Sequence, residues 1–363
     1  MKIKEEKGIT GIDITLAVIL ISIFLAVILT IFTTIQKNST KLSRETEAMY
    51  YAIETIENIK SQEFSILPKK GTNKIQGITE LEDGYIKKRT GIETRYYLKS
   101  VQDQIDMAKK LVGNMIKDEE KDIDLIITAT TTPTYMMPGL SNIIQKELGI
   151  KTCIAFDILA GCSGFINAID IAKKYMESSK TKKALIVGIE QLSKYVDKND
   201  IGTSIILSDG AGAILIEGTA EEKKYCSKIE TTIDEKAILK TYVKDGIFKL
   251  EMDGKEVYKY AVTETVKNLE ELLQKSNETL ENIKYIVPHQ SNLKIIKSIA
   301  NRLGTDIIDK MYVNIDKIGN TFCASIPIAL DEMIKKRLLQ TGDKVILLGY
   351  GGGLNTASIL IEI

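Results

Sequence analysis

The chain of 363 residues is poor in side chains that usually announce a function. Histidine occurs once, at position 289, and tryptophan not at all. One histidine excludes histidine-rich metal sites and any catalytic set that needs two imidazoles. The four cysteines, at 153, 162, 226 and 323, show no CxxC spacing, so no zinc ligand set and no metal is expected. Cysteine this sparse suits a reducing compartment better than a disulfide scaffold. Neither sign of charge is in excess: Lys+Arg and Asp+Glu number 49 each, which argues against a nucleic-acid platform. The hydrophobic fraction, 44%, is ordinary for a globular protein. The length admits one large domain or two medium ones.

From about residue 64 onward, apolar β-branched runs alternate with helical periodicity. Strands are expected over 64–68, 124–130, 153–158, 184–188 and 213–216, then 285–287, 311–315, 344–349 and 357–363. Helices are expected over 100–115, 142–148, 165–176, 257–274, 293–303 and 325–338. This alternation implies an α/β fold. Within it, Cys162 follows a strand and precedes a helix, in Ala160-Gly161-Cys162-Ser163-Gly164-Phe165. That placement sets the sulfur over free helix N–H groups and predicts a lowered thiol pKa, hence a nucleophile suited to acyl transfer from a thioester. His289, in Val287-Pro288-His289-Gln290-Ser291-Asn292, is the only side chain with an ordinary pKa near neutrality. Asn320, in Gly319-Asn320-Thr321-Phe322-Cys323-Ala324-Ser325, adds a neutral hydrogen-bond donor.

These segments, with Lys88-Arg89-Thr90-Gly91-Ile92, Ile126 to Thr130, Asp157 to Phe165, Ser208-Asp209-Gly210-Ala211-Gly212 and Tyr350-Gly351-Gly352-Gly353, occur in one order over most of the chain. Together they resemble the β-ketoacyl-[acyl-carrier-protein] synthase III family of the thiolase-like superfamily. The resemblance implies a five-layered αβαβα fold with two related halves, over 63–220 and 221–363. It implies that Cys162 carries an acyl primer and that His289 and Asn320 donate to the enolate from malonyl-[acyl-carrier-protein]. The backbone N–H groups of Cys162 and Gly352 would form the oxyanion hole. Tyr85, Arg89, Met137 and Asn292 match substrate-binding positions, with Met137 reaching the partner subunit of a homodimer. Lys259 and Lys294 match positions that meet acyl carrier protein. Coenzyme A and carrier-protein thioesters are substrates, and no cofactor is implied. The pattern departs at two places: Tyr85 replaces a tryptophan, and Ile201 an arginine, that sandwich the adenine of coenzyme A. Cys323, where the family usually carries alanine, reads as packing. Other readings remain: a synthase III-like acyltransferase or condensing enzyme of specialised metabolism, or a non-enzymatic membrane protein carrying a joined synthase domain.

The N-terminus follows a different pattern. Residues 14 to 35 are uncharged and almost wholly apolar. At about 1.5 Å per residue such a helix spans a bilayer core of about 30 Å. A short lysine-containing stretch, Met1 to Gly8, precedes Ile9-Thr10-Gly11-Ile12-Asp13, and the whole resembles a type IV prepilin with Asp13 in place of the usual glutamate. Met49, Tyr50, Ile53, Ile56 and Ile59 then recur at helical spacing. The expectation is a leader over 1–8, a transmembrane and amphipathic helix over 9–62, and a single-pass, membrane-associated protein whose catalytic domain faces the cytoplasm.

Overall fold

The computed structural model describes residues 65–66, 84–98, 100–116, 122–197, 200–218, 223–245 and 247–363. In the first half the elements run β1 (Ser65–Ile66), α1 (Tyr85–Thr90), α2 (Val101–Met115), β2 (Leu125–Ala129), α3 (Leu140–Leu148), β3 (Ile154–Ile158), α4 (Gly164–Ser178), β4 (Lys183–Glu190), α5 (Ile201–Ser204) and β5 (Gly210–Glu217). The second half runs β6 (Tyr225–Thr231), β7 (Leu239–Lys244), β8 (Ile247–Met252), α6 (Gly254–Ser276), β9 (Tyr285–Pro288), α7 (Leu293–Leu303), α8 (Ile315–Ile318), α9 (Ser325–Lys335), β10 (Lys344–Gly351) and β11 (Asn355–Glu362).

Two sheets carry the fold, in the orders β1-β5-β4-β2-β3 and β6-β11-β10-β9. The sense of pairing repeats. β4 is antiparallel to β5 and parallel to β2, as β10 is antiparallel to β11 and parallel to β9. An isolated parallel bridge from Met311 to Ile286 occupies, in the second sheet, the position of β3 in the first. The halves thus share a topology although their sequences show no evident similarity.

Burial sets the layers. Each strand buried on both faces must be covered twice, which explains its unbroken apolar run. One face of both sheets packs on α4 and α9, through Phe165, Ile166 and Ile169 of the first and Ile326, Leu330 and Met333 of the second. The other face of the first sheet takes α2 and α3, through Leu111, Met115, Leu140 and Ile144. The other face of the second takes α6 and α7, through Leu269, Leu272, Ile296 and Ile299. Helices, sheet, helices, sheet and helices make the five layers that the resemblance implied. Each fully buried Leu or Ile contributes about 1.5–3 kcal/mol by leaving water. The helix ends follow local chemistry: Asp253 caps α6 by accepting from Lys255 N and Glu256 N, both at 3.1 Å, and Gly149 ends α3 at φ 70°.

Four expectations need correction or limits. Residues 311–315 are not a strand: Met311 makes a single bridge, and Ile315 opens a helical turn. Their β-branched apolar pattern reflects burial alone. β3 is not buried but lies at a sheet edge, with Ile154 39% exposed. The β7–β8 hairpin was not foreseen, because its outward residues are charged and its period is masked by lysines. The single-pass membrane location is also corrected. Among the described residues no helix is long and apolar enough to cross a membrane. The longest, α6, has 23 residues but repeats Lys and Glu along its length. The prepilin-like leader and the apolar run over 14–35 lie outside the described residues.

Candidate active site

Cys162 sits on a 3₁₀ turn, Gly161–Ser163, between β3 and α4. Gly161 takes φ 58°, a value that suits glycine, and turns the chain sharply toward α4. The tip of β10 lies directly against the turn. A Cβ added at Gly351 would stand 2.9 Å from the Cys162 Cβ and 3.2 Å from its Sγ, so only glycine admits the approach. Gly352 adjoins Gly161, whose added Cβ would meet the Gly352 nitrogen at 3.7 Å. Gly351 and Gly352 therefore lie against the Cys162 turn.

His289 leaves the end of β9, where its N–H donates to Leu348 O at 2.7 Å. The ring is 1% exposed, and its Nδ1 lies 2.8 Å from Ser325 Oγ at the start of α9. Ser325 Oγ also accepts from Gln290 N at 3.3 Å. With the Ser325 hydroxyl as donor to Nδ1, the imidazole hydrogen is placed on Nε2, which is then a donor. Tyr350 packs edge-on against the ring at 5.4 Å and is anchored by Ser291 at 2.7 Å. Asn320 is strapped to residues 206–208: its N donates to Ile206 O, and its O accepts from Ser208 N, each at 2.9 Å. Its Oδ1 accepts from Phe322 N at 3.0 Å. The amide orientation is thereby set, and Nδ2 is left as a donor.

Cys162, His289 and Asn320 line one cavity of about 500 Å³. Arg89, Asn292 and Lys294 line the same cavity. Tyr85, Met137 and Lys259 do not. Tyr85 is half-buried against the apolar cluster that holds Cys162. Met137 is 88% exposed. Lys259 lines a separate recess with Glu256 and Glu264. Asn292 doubles as the N-cap of α7, accepting from Lys294 N at 2.9 Å.

The electrostatics correct one sequence expectation. The Cys162 thiol is not lowered but pushed well above its ordinary value, first by burial and then by the Glu190 carboxylate; a backbone hydrogen bond pulls the other way and loses. Desolvation of a thiolate outweighs the partial charge of a helix end when the sulfur is buried. Glu190 is a residue that sequence reasoning missed. Fully buried at the end of β4, it accepts from Thr131 N at 3.0 Å, Thr132 Oγ1 at 2.8 Å and Cys323 Sγ at 3.1 Å. Burial pushes its carboxyl up to about 7 against those bonds. Cys323 spends its hydrogen between Glu190 and Ala129 O, at 3.0 Å, which is a packing role. Asp209, from the Ser208 to Gly212 motif, accepts from Leu98 N at 2.6 Å and Ser193 N at 2.7 Å, and so ties loops together behind the cavity.

Burial lowers the His289 pKa from 6.5 to about 3. The ring is therefore neutral through the range in which a free histidine titrates, as an Nδ1 that accepts from Ser325 requires. Malonyl thioester decarboxylation is expected to show no imidazolium limb between about pH 5.5 and 8. An activity loss centred near the ordinary value of 6.5 would mean that the ring ionises as in water. The stability sign follows: between 6.5 and about 3 the unfolded chain takes the proton and the folded one does not, so stability is lost as pH falls through that window.

Comparison with known proteins places these features. The family models for 3-oxoacyl-[acyl-carrier-protein (ACP)] synthase III and for its C-terminal part match residues 156–234 and 273–363. A beta-ketoacyl-[acyl-carrier-protein] synthase III from Clostridium tetani is 39% identical over 307 residues, covering 78% of this chain and 91% of that protein. The crystal structure of 3-oxoacyl-[acyl-carrier-protein] synthase III from Aquifex aeolicus superposes with a TM-score of 0.75 at 34% identity, over 82% of this chain and 97% of that one. The priming beta-ketosynthase from the R1128 polyketide biosynthetic pathway gives a TM-score of 0.73 at 27% identity, over 82% and 94%.

Proposed function

The chain belongs to the 3-oxoacyl-[acyl-carrier-protein] synthase III family, and from that premise we propose that it condenses an acyl primer with malonyl-[acyl-carrier-protein] to start fatty acid synthesis. The observation that carries this reading is the meeting of Cys162, with donors at His289 Nε2 and Asn320 Nδ2, on one cavity. In the first half-reaction the Cys162 sulfur forms a thioester with the primer, and the displaced thiol leaves with the cysteine's proton. In the second, the malonyl C–C bond breaks, carbon dioxide departs, and the electron pair becomes an enolate. His289 and Asn320 donate to its oxygen. The enolate carbon attacks the acyl carbonyl on Cys162, whose oxygen takes hydrogen bonds from Cys162 N–H and Gly352 N–H. Collapse releases the β-ketoacyl thioester and frees the sulfur. Neither half needs a cofactor.

Arg89 and Asn292 serve the phosphates and the pantetheine arm in this reading, with Tyr85 placed to stack only if the α1 surface adjusts. Lys294 on the cavity wall, and Lys259 one turn along α6 from the cavity-lining Lys255, offer cations to an acidic carrier protein. The halves divide between Glu217 and Tyr225, the sheet-to-sheet crossing. A homodimer is supported by the unpaired edge of β3, beside which Leu159 is 75%, Met136 90% and Met137 88% exposed. An apolar sheet edge of this kind needs a cover, and a second copy pairing edge to edge would also carry Met137 to the neighbouring acyl site. A priming enzyme of specialised metabolism is the second reading, favoured by Ile201, which supplies no guanidinium for coenzyme A. The intact site argues against a non-catalytic protein.

The reading is tested by mixing the protein with acetyl-CoA or acetyl-[acyl-carrier-protein] and malonyl-[acyl-carrier-protein]. Carbon dioxide release with a β-ketoacyl product is expected; neither product from any short acyl primer refutes it. Ile201 is 39% exposed beside the cavity-lining Gly202. Ile201→Arg should lower KM for acetyl-CoA by roughly two- to fivefold, the worth of one exposed cation–π contact, and leave the carrier-bound primer unchanged. No change with either donor would show that adenine binds elsewhere.

A further inference from the structure

Phe322 stands two residues after Asn320 and carries φ 45°, a left-handed backbone that a bulky side chain rarely adopts. Strain of this kind persists where the surroundings enforce it. Here the backbone turn brings the Phe322 N–H back to Asn320 Oδ1. The same turn delivers the ring to the cavity wall that holds Cys162. The ring is 6% exposed and belongs to one apolar cluster with Cys162, Ile205, Ile206, Leu207 and Leu250. The backbone on either side of Leu207 is tied to Asn320, through Ile206 O and Ser208 N, so this wall cannot retreat without moving the Asn320 amide. A small residue at 322 would satisfy the Asn320 bond with less strain. The ring therefore serves the volume beside the nucleophile.

We propose that Phe322 is a specificity-determining residue that restricts the acyl group on Cys162 to short chains. The inference rests on the reading of Cys162 as acyl carrier and deepens it by naming the primer class. Each methylene that a wall admits or rejects changes selectivity by about 10–200-fold, so the position has leverage out of proportion to one side chain.

The test is Phe322→Gly, because glycine accepts the left-handed backbone and keeps the N–H aimed at Asn320 while removing the ring. Initial rates of Cys162 acylation are followed by intact mass for acetyl, butyryl, hexanoyl and octanoyl thioesters on one carrier. The octanoyl-to-acetyl ratio of kcat/KM should rise at least tenfold over wild type. Phe322→Leu, which preserves apolar packing, should move the ratio in the same direction by less, and it serves as the test if the glycine variant does not fold. An unchanged ratio overturns the proposal. A uniform change across the series also overturns it, since the ring would then lie along the carrier arm. Wild-type protein that takes no acyl group from any thioester would instead sink the functional reading itself, a result distinguishable from an unmoved ratio in an active enzyme.

Discussion

Cys162→Ala removes the covalent acyl adduct completely and lowers condensation by at least about 10³-fold, the scale on which losing a nucleophile leaves only binding and oxyanion contacts. Incubation with an acyl thioester followed by intact mass reads the adduct directly. The prediction is sharp because the other buried thiol nearby is occupied: Cys323 Sγ lies 3.1 Å from Glu190 and 3.0 Å from Ala129 O, and burial with the Glu190 charge holds it protonated. Cys153 and Cys226 are raised mainly by burial and do not line the cavity. An adduct of the same mass in the alanine variant would reassign the nucleophile. The raised Cys162 thiol adds a condition: the sulfur must lose its proton to react, so acylation should accelerate as pH rises above neutrality.

His289→Ala and Asn320→Ala should each slow malonyl decarboxylation by about 10²–10³, the usual loss on deleting one oxyanion donor, while Cys162 acylation falls far less. The asymmetry follows from their roles: with Nδ1 engaged by Ser325 and Oδ1 by Phe322 N, His289 Nε2 and Asn320 Nδ2 serve the enolate oxygen, whereas acylation depends on the Cys162 sulfur. His289→Ala also strands the Ser325 hydroxyl in a buried place, at about 1–3 kcal/mol, so a melting curve belongs beside the kinetics. Equal loss of both half-reactions would point to a shared role or to misfolding. His289→Gln, with an amide donor near the lost Nε2–H, should recover part of the decarboxylation.

The boundary between what was legible and what was not follows physical lines. Strands such as β2, β4 and β10 were readable because double burial writes an uninterrupted apolar run into the sequence. α2, α6 and α7 were readable from period and caps. The segment over 311–315 was misread because burial and strand leave the same composition. The β7–β8 hairpin escaped because Lys240, Lys244 and Lys249 interrupt its alternation. β3 was readable as a strand but not as an edge, since its run Ile154–Ile158 is nearly as apolar as that of an interior strand.

The site divides in the same way. Motif order alone selected Cys162, His289 and Asn320, because reactive residue types framed by glycine and proline turns are local patterns. It also implied Arg89 and Asn292, which do reach the cavity. Tertiary structure alone decided the state of those groups. The thiol was expected to be low from its place before a helix, yet burial and Glu190, 28 residues away in sequence, push it up. His289 is neutral because layers from both halves close over it, and its tautomer depends on Ser325, 36 positions along the chain. Which residues are candidates to react was legible in the sequence; how each holds its proton was decided by packing, because desolvation is set by everything that surrounds an atom, most of it distant in the chain.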